Sequence, residues 1–166
     1  MRLRAFTKED AQTICGWIRT EKEMYQWSAD RINMFPLRPE YIEKEYAMPM
    51  ASGRFFPLVM VDEEDTPVGQ FIIRYPKPDD DTTVRFGFVV VNPDIRGKGY
   101  GKQMLTLGIE YVKEYLGAKR ITLGVFSNND KARYCYESVG FREYKRKDSQ
   151  LQIGIWECID MELVLE

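Results

Sequence analysis

Arg2 to Phe6 alternates polar and apolar side chains, the period of a half-buried strand. Thr7-Lys8-Glu9-Asp10 follows, with a hydroxyl placed to cap a helix and acids in its first turn, where the dipole favours them. Ile14, Trp17 and Ile18 then recur at helical spacing. Pro39-Glu40 opens a second helix carrying Tyr41, Ile42, Glu45 and Tyr46. Between the two lies a stretch rich in aromatics and methionine (Met24, Tyr25, Trp27, Met34, Phe35), which reads equally as core or as the lining of a pocket. From residue 54 the period shortens to that of strands. Phe55 to Val61, the polar turn 62–67 and Val68 to Tyr75 form a hairpin; prolines and the Asp79–Asp81 run break the chain, and Thr82 to Val91 is the next strand. A glycine-rich turn, Gly97 to Gly101, leads into a helix over 102–116. Its apolar residues Leu105, Ile109, Val112 and Leu116 make one face, with Gly117 as C-cap. A strand over 120–126, a helix over 129–139 and a last strand within 150–165 complete a mixed α/β sheet with helices on its faces. The charged run Arg142 to Lys147 reads as a solvated edge.

A chain of 166 residues, 44% hydrophobic and 30% charged, predicts one compact domain spanning 1–166. The 24 basic and 26 acidic residues leave a net charge of −2, which removes any broad field for nucleic acid, so no DNA partner is expected. There is no histidine. That excludes Ser-His and Cys-His nucleophile pairs and any zinc site built on imidazole, and no metal is expected. Cys15, Cys135 and Cys158 are scattered and odd in number, as reduced thiols are. The N-terminal residues carry charge before any apolar stretch develops, and the longest apolar run, Phe86 to Val91, is far short of the roughly 20 residues that span a bilayer. A cytoplasmic protein with no membrane partner is expected.

The chemistry concentrates in Val89-Val90-Val91-Asn92-Pro93-Asp94-Ile95-Arg96-Gly97-Lys98-Gly99-Tyr100-Gly101-Lys102, a strand running through alternate glycines into a helix. Glycine lets backbone N–H groups approach an anion, the helix N-terminus adds unpaired donors, and Arg96, Lys98 and Lys102 outnumber Asp94. This is a cradle for a diphosphate. A Walker A loop fails, because Arg96 stands for its first glycine and Gln103 for its hydroxyl. The dinucleotide fingerprint fails as well, with Lys102 at the third glycine and no acid at the end of the next strand.

Arg96-Gly-Lys-Gly-Tyr-Gly101 resembles the Arg/Gln-x-x-Gly-x-Gly/Ala loop that grips the pyrophosphate of coenzyme A in the GNAT acetyltransferase superfamily. Asn129…Ala132…Tyr136…Gly140-Phe141 is similar to that family's second signature, at the right distance. The resemblance implies the GNAT fold, a mixed sheet of about six or seven strands flanked by about four helices. It also implies an acetyl-CoA-dependent N-acetyltransferase acting on a primary amine in a ternary complex. On that pattern Val89, Val90 and Val91 offer backbone to the pantetheine arm and an N–H to the oxyanion. Arg96, Gly97, Lys98, Gly99, Tyr100, Gly101 and Lys102 hold the pyrophosphate, Asn129 binds pantetheine, and Tyr136 protonates the departing thiolate. Asn129 also reads as a plain helix cap, and Tyr136 as a core tyrosine. Tyr134 is turned roughly 200° from Tyr136 on a helix, and the family spacing selects Tyr136.

The family's usual general base is missing. Positions where other members carry glutamate hold Gly124, and Arg85 or Phe86, leaving a water relay or an acid such as Glu23. The acceptor reads as a small-molecule amine or a protein amine, the assembly as a possible homodimer. A non-catalytic acyl-CoA sensor, or a ribosome- or RNA-associated module using the 142–147 patch, is the alternative.

Overall fold

The computed structural model describes residues 1–166. The chain runs β1 (Arg2–Ala5), α1 (Lys8–Trp17), α2 (Glu21–Ser28), α3 (Pro39–Ala51), β2 (Phe55–Val61), β3 (Pro67–Arg74), β4 (Thr83–Val91), a 3-10 turn (Pro93–Ile95) and α4 (Tyr100–Tyr111). It continues through a π turn (Val112–Leu116), β5 (Arg120–Phe126), α5 (Asp130–Ser138), β6 (Arg142–Leu151) and β7 (Gly154–Val164). The seven strands form one sheet in the order β1-β2-β3-β4-β5-β7-β6. All neighbours are antiparallel except β4 and β5, which run parallel.

The expected mixed α/β architecture is present, with two differences in the elements. The aromatic stretch after Trp17 contains a third N-terminal helix, making five in all. The Thr20 hydroxyl accepts the Glu23 amide and donates to the Glu23 carboxylate, so the helix starts on a capping signal, Thr-x-x-Glu, that the aromatic run obscures. The C-terminal segment is a hairpin of two strands, and residues 142–147 belong to β6. Nearly every side chain of β6 is exposed, because it is an edge strand paired only to β7. A strand with no buried face has no apolar alternation to read.

Two cores lie on opposite faces of the sheet. On one, α1–α3 pack Ile14, Met24, Tyr25, Ile42 and Tyr46 against Val59, Ile72, Phe88 and Val90. On the other, Met104, Leu105, Val112 and Tyr136 pack against Phe71, Ile73, Val84, Phe86, Leu123 and Val125. Gly108 lets α4 lie close to the sheet, since a Cβ there would meet the Phe71 ring at 2.8 Å.

The first helix is anchored by charge. The Arg4 guanidinium makes two hydrogen bonds to the Asp10 carboxylate, at 2.8 and 2.9 Å, and the Thr7 amide donates to the same carboxylate at 2.7 Å. Burial pushes the Asp10 carboxyl up, but Arg4 and the Thr7 donors outweigh it and hold the group below its ordinary range. A depressed carboxylate stabilises the fold above its unfolded pKa and stops doing so as pH falls through its folded value. Asp10→Asn is therefore expected to cost about 2–4 kcal/mol near neutral pH. In urea titrations the gap to wild type should narrow as pH falls below the ordinary carboxylate range; a gap unchanged from neutral to acid pH would contradict the assignment.

Candidate active site

The parallel pairing of β4 and β5 is short. Thr83, Val84 and Arg85 pair with Arg120, Ile121 and Thr122, and beyond them β4 stays with β3 while β5 follows β7. The cause of the separation is a bulge. Gln70 opposes Val90 and Ile72 opposes Gly87, so β4 carries one extra residue against β3. Phe88 occupies it with φ +50°. The bulge inverts the side-chain parity of β4. Val84 and Phe86 belong to the α4–α5 core, whereas Phe88 and Val90 belong to the α1–α3 core. Trp27 secures the strained residue. Its indole N–H donates to the Phe88 carbonyl at 3.0 Å, and its ring meets the Phe88 ring edge-on at 5.0 Å.

The gap is a cleft of about 600 Å³ between β4, β5 and the N-terminal ends of α4 and α5. The Asn92 amide donates to the Val68 carbonyl on β3, so by strand alternation the Val91 N–H and C=O point the other way, into the gap. At the mouth, Gly97 and Gly99 have φ +85° and +79°, and a Cβ on either would meet nothing within 4 Å. Their glycines serve backbone conformation and leave the space in front of the amides open. Gly101 differs: a Cβ there would approach the Cys135 sulfur at 3.2 Å, so this glycine serves the packing of α4 against α5. No side chain caps α4, leaving its first N–H groups to face the mouth. Arg96 lies 3.9 Å from Glu23, Asp94 is held by Arg19 at 2.9 Å, and Lys98 and Lys102 make no ion pair.

Val89, Val90, Val91, Arg96, Gly97, Gly99, Tyr100, Gly101, Lys102, Asn129 and Tyr136 all line this one cleft; of the residues singled out from sequence, Lys98 does not. Asn129 caps α5, its side-chain oxygen accepting the Ala132 amide at 3.4 Å, which leaves its side-chain N–H₂ unused by the cap. Tyr136 is 6% exposed, packed edge-on against Phe141, and its hydroxyl bonds to no protein group. The side chain lines the cleft. Burial, reinforced by Cys135, pushes the phenol up, so it stays protonated. Tyr134 is 59% exposed and also borders the cleft. Burial likewise raises the Cys135 thiol, with Lys102 opposing, so Cys135 stays a neutral packing residue.

Two features of the site have no local sequence signal. Trp27 acts through its N–H on a backbone carbonyl 61 residues away, a pairing no local signal announces. Gly124 is small because Arg85 fills the space beside it: a Cβ there would sit 2.7 Å from the Arg85 guanidinium. Arg85 is in turn fixed by the buried Asp160 of β7 at 3.0 Å. The acidic turns 62–65 and 79–81 line no part of the cleft.

The chain belongs to the acetyltransferase (GNAT) family, whose profile matches residues 8–141. A UPF0039 protein of Schizosaccharomyces pombe is 31% identical over 81% of this chain and 83% of its own length. A mycothiol acetyltransferase of Rhodococcus jostii is 23% identical over 76% of this chain, which spans 44% of that protein. Among solved structures, the spermidine N-acetyltransferase of Vibrio cholerae, in complex with CoA and spermine, superposes with a TM-score of 0.79. The match covers 98% of this chain and 94% of that one, at 19% identity.

The loop glycines allow a direct check. Gly99→Ala forces a Cβ into the left-handed region without any clash and should cost about 1–2 kcal/mol of stability. Gly99→Asn should cost less, since asparagine tolerates that conformation. Chemical denaturation that ranked Asn below Ala would contradict the conformational explanation.

Proposed function

We propose that this chain transfers the acetyl group of acetyl-CoA to a primary amine, both bound together. The observation that carries the reading is the opened β4–β5 gap, whose free Val91 backbone runs into an uncapped helix N-terminus through two left-handed glycines. The fit to coenzyme A is chemical. Open amides and Lys102 suit a pyrophosphate, with Arg96 beside them, and an extended pantetheine arm can add to β4 as a strand. The V. cholerae neighbour, of the same fold, is described with CoA bound.

Acetyl-CoA supplies the acyl group already activated as a thioester. The residues then divide the work. Arg96 to Lys102 hold the phosphates, and Val89–Val91 align the arm and direct an N–H at the acyl oxygen, where negative charge develops as the amine attacks. Asn129 offers its free side-chain N–H₂ to the pantetheine amides. Tyr136, protonated and lining the cleft, gives its proton to the leaving thiolate and regains one from water in the cleft. For the proton lost by the amine we favour water. Glu23 accepts from Thr20 at 3.0 Å and from the Arg19 amide at 3.3 Å while facing Arg96, so its carboxylate is engaged in holding the loop. The 142–147 patch, in which Arg146 is paired with Glu143 and Glu157, lies outside the cleft and takes no part in this reading.

Release of coenzyme A thiol from acetyl-CoA, followed across a panel of amines, tests the proposal. Tyr136→Phe should lower kcat by about a hundredfold or more with little change in the KM for acetyl-CoA. Glu23→Gln should keep a pH–rate profile with the single ionisation of the amine. No release with any amine would overturn the reading, and a profile that loses an ionisation in Glu23→Gln would make Glu23 the base.

A further inference from the structure

Behind the bulge, the cleft opens into a second, smaller cavity of about 130 Å³. The two spaces share Trp27, Phe86, Gly87, Phe88, Gly124 and Val125, so the cavity begins where β4 and β5 part. Three arginines line it, Arg31, Arg74 and Arg85, and no acidic residue does. Arg74 and Arg85 are direct cross-strand partners in the β3–β4 register, which puts two like charges side by side on the sheet face covered by α1–α3. Like charges so placed destabilise a sheet. Arg85 is compensated by Asp160, but Arg74 has no ion pair and no side-chain hydrogen bond, although it is half-buried. Arg31 lies over the Phe88 ring, 5.8 Å from its centre, and is likewise unpaired. Burial, with Arg31 and then Arg85, pulls the Arg74 guanidinium down to about 10, so it remains charged at neutral pH without a counter-ion. Glu45 of α3 lies near enough to feel the charge of Arg31 but forms no ion pair with it.

A destabilising cluster of unpaired cations beside the reaction centre needs a partner that arrives from outside. Resting on the transferase reading above, we propose that the acceptor is an amine that also bears an anionic group, a carboxylate or a phosphate, which Arg74 and Arg31 bind in this cavity. Arginine's planar fork matches both anions. The cavity adjoins the β4 bulge, so an anion held there leaves the amine of a small acceptor within reach of the cleft. A polyamine would instead bring further positive charge against three arginines. The spermidine N-acetyltransferases therefore share this chain's fold but would not share its acceptor.

Thiol release is compared for matched pairs: L-phenylalanine against phenethylamine, L-lysine against cadaverine, phosphoethanolamine against ethanolamine, with spermidine alongside. The expected result is a kcat/KM at least about tenfold higher for the anionic member, and the amino acid and phosphate arms tell the two anions apart. Arg74→Met should abolish that preference, lowering kcat/KM for the anionic amine by about tenfold to a hundredfold. Arg74→Lys should retain part of it. Because Arg74→Met also removes the repulsion with Arg85, its Tm should equal or exceed wild type, which a merely structural arginine would not give. Turnover of spermidine or the anion-free amines as good as that of their partners, no use of any anionic amine, or an unaltered preference in Arg74→Met overturns the proposal. Spermidine turnover would leave the transferase reading standing; failure of coenzyme A to bind, measured by calorimetry on the same sample, would remove that reading as well.

Discussion

The hydrogen bond from the Trp27 indole to the Phe88 carbonyl holds in place the irregularity on which the site depends. Without the extra residue at Phe88, β4 would stay in register with β3 and its even-numbered side chains would all face α4. With it, the strand changes faces, parts from β5 after Arg85, and leaves the Val91 backbone groups that point away from β3 without a strand partner. Unpaired backbone inside a sheet is costly unless something completes it. A cofactor arm with amides of its own is such a completion, and the helix N-terminus at the cleft mouth offers the same for phosphate oxygens. Binding energy in this protein is held in reserve as unsatisfied hydrogen-bonding capacity.

The two sides of the cleft carry different kinds of positive charge. At the mouth the charge comes from amides and from Lys102 and Arg96, and Glu23, the acid that lines the cleft, is set against Arg96. At the far side it comes from Arg74 and Arg85 on the sheet and from Arg31 after α2, with Asp160 compensating Arg85 from behind. The chain's net charge of −2 hides both, because acidic residues spread over the whole chain offset them in the sum. The Arg85–Asp160 pair also accounts for the missing glutamate. The position beside Gly124 is filled by a guanidinium, so any carboxylate placed there would displace the arginine and orphan a buried aspartate.

What could be read from the sequence follows from how locally each feature is encoded. The β2–β3 hairpin, β4, α4 and the glycine loop carry their own periodicity and turn chemistry, and the two signatures that begin at Arg96 and Asn129 indicated which family loop this is. The α2 helix was obscured because its buried face of Met24, Tyr25 and Trp27 dominates eight residues, although its Thr20–Glu23 cap was present. The β6 strand had no apolar face to announce it. Gly101 is indistinguishable from its neighbours in sequence but serves packing, a distinction only the approach of Cys135 reveals. The Phe88 bulge, the Trp27 bond and the Arg74–Arg85 register all join residues far apart in the chain, and no pattern along one segment contains them.

A crystal structure with coenzyme A bound is the most direct measurement of the central claim. The result expected is the pyrophosphate on the amides between Gly97 and Lys102, with the pantetheine arm hydrogen-bonded to Val91 and its sulfur near the Tyr136 hydroxyl. Coenzyme A seated away from the β4–β5 gap, or a gap closed by β4 and β5 pairing along their whole length, would contradict it.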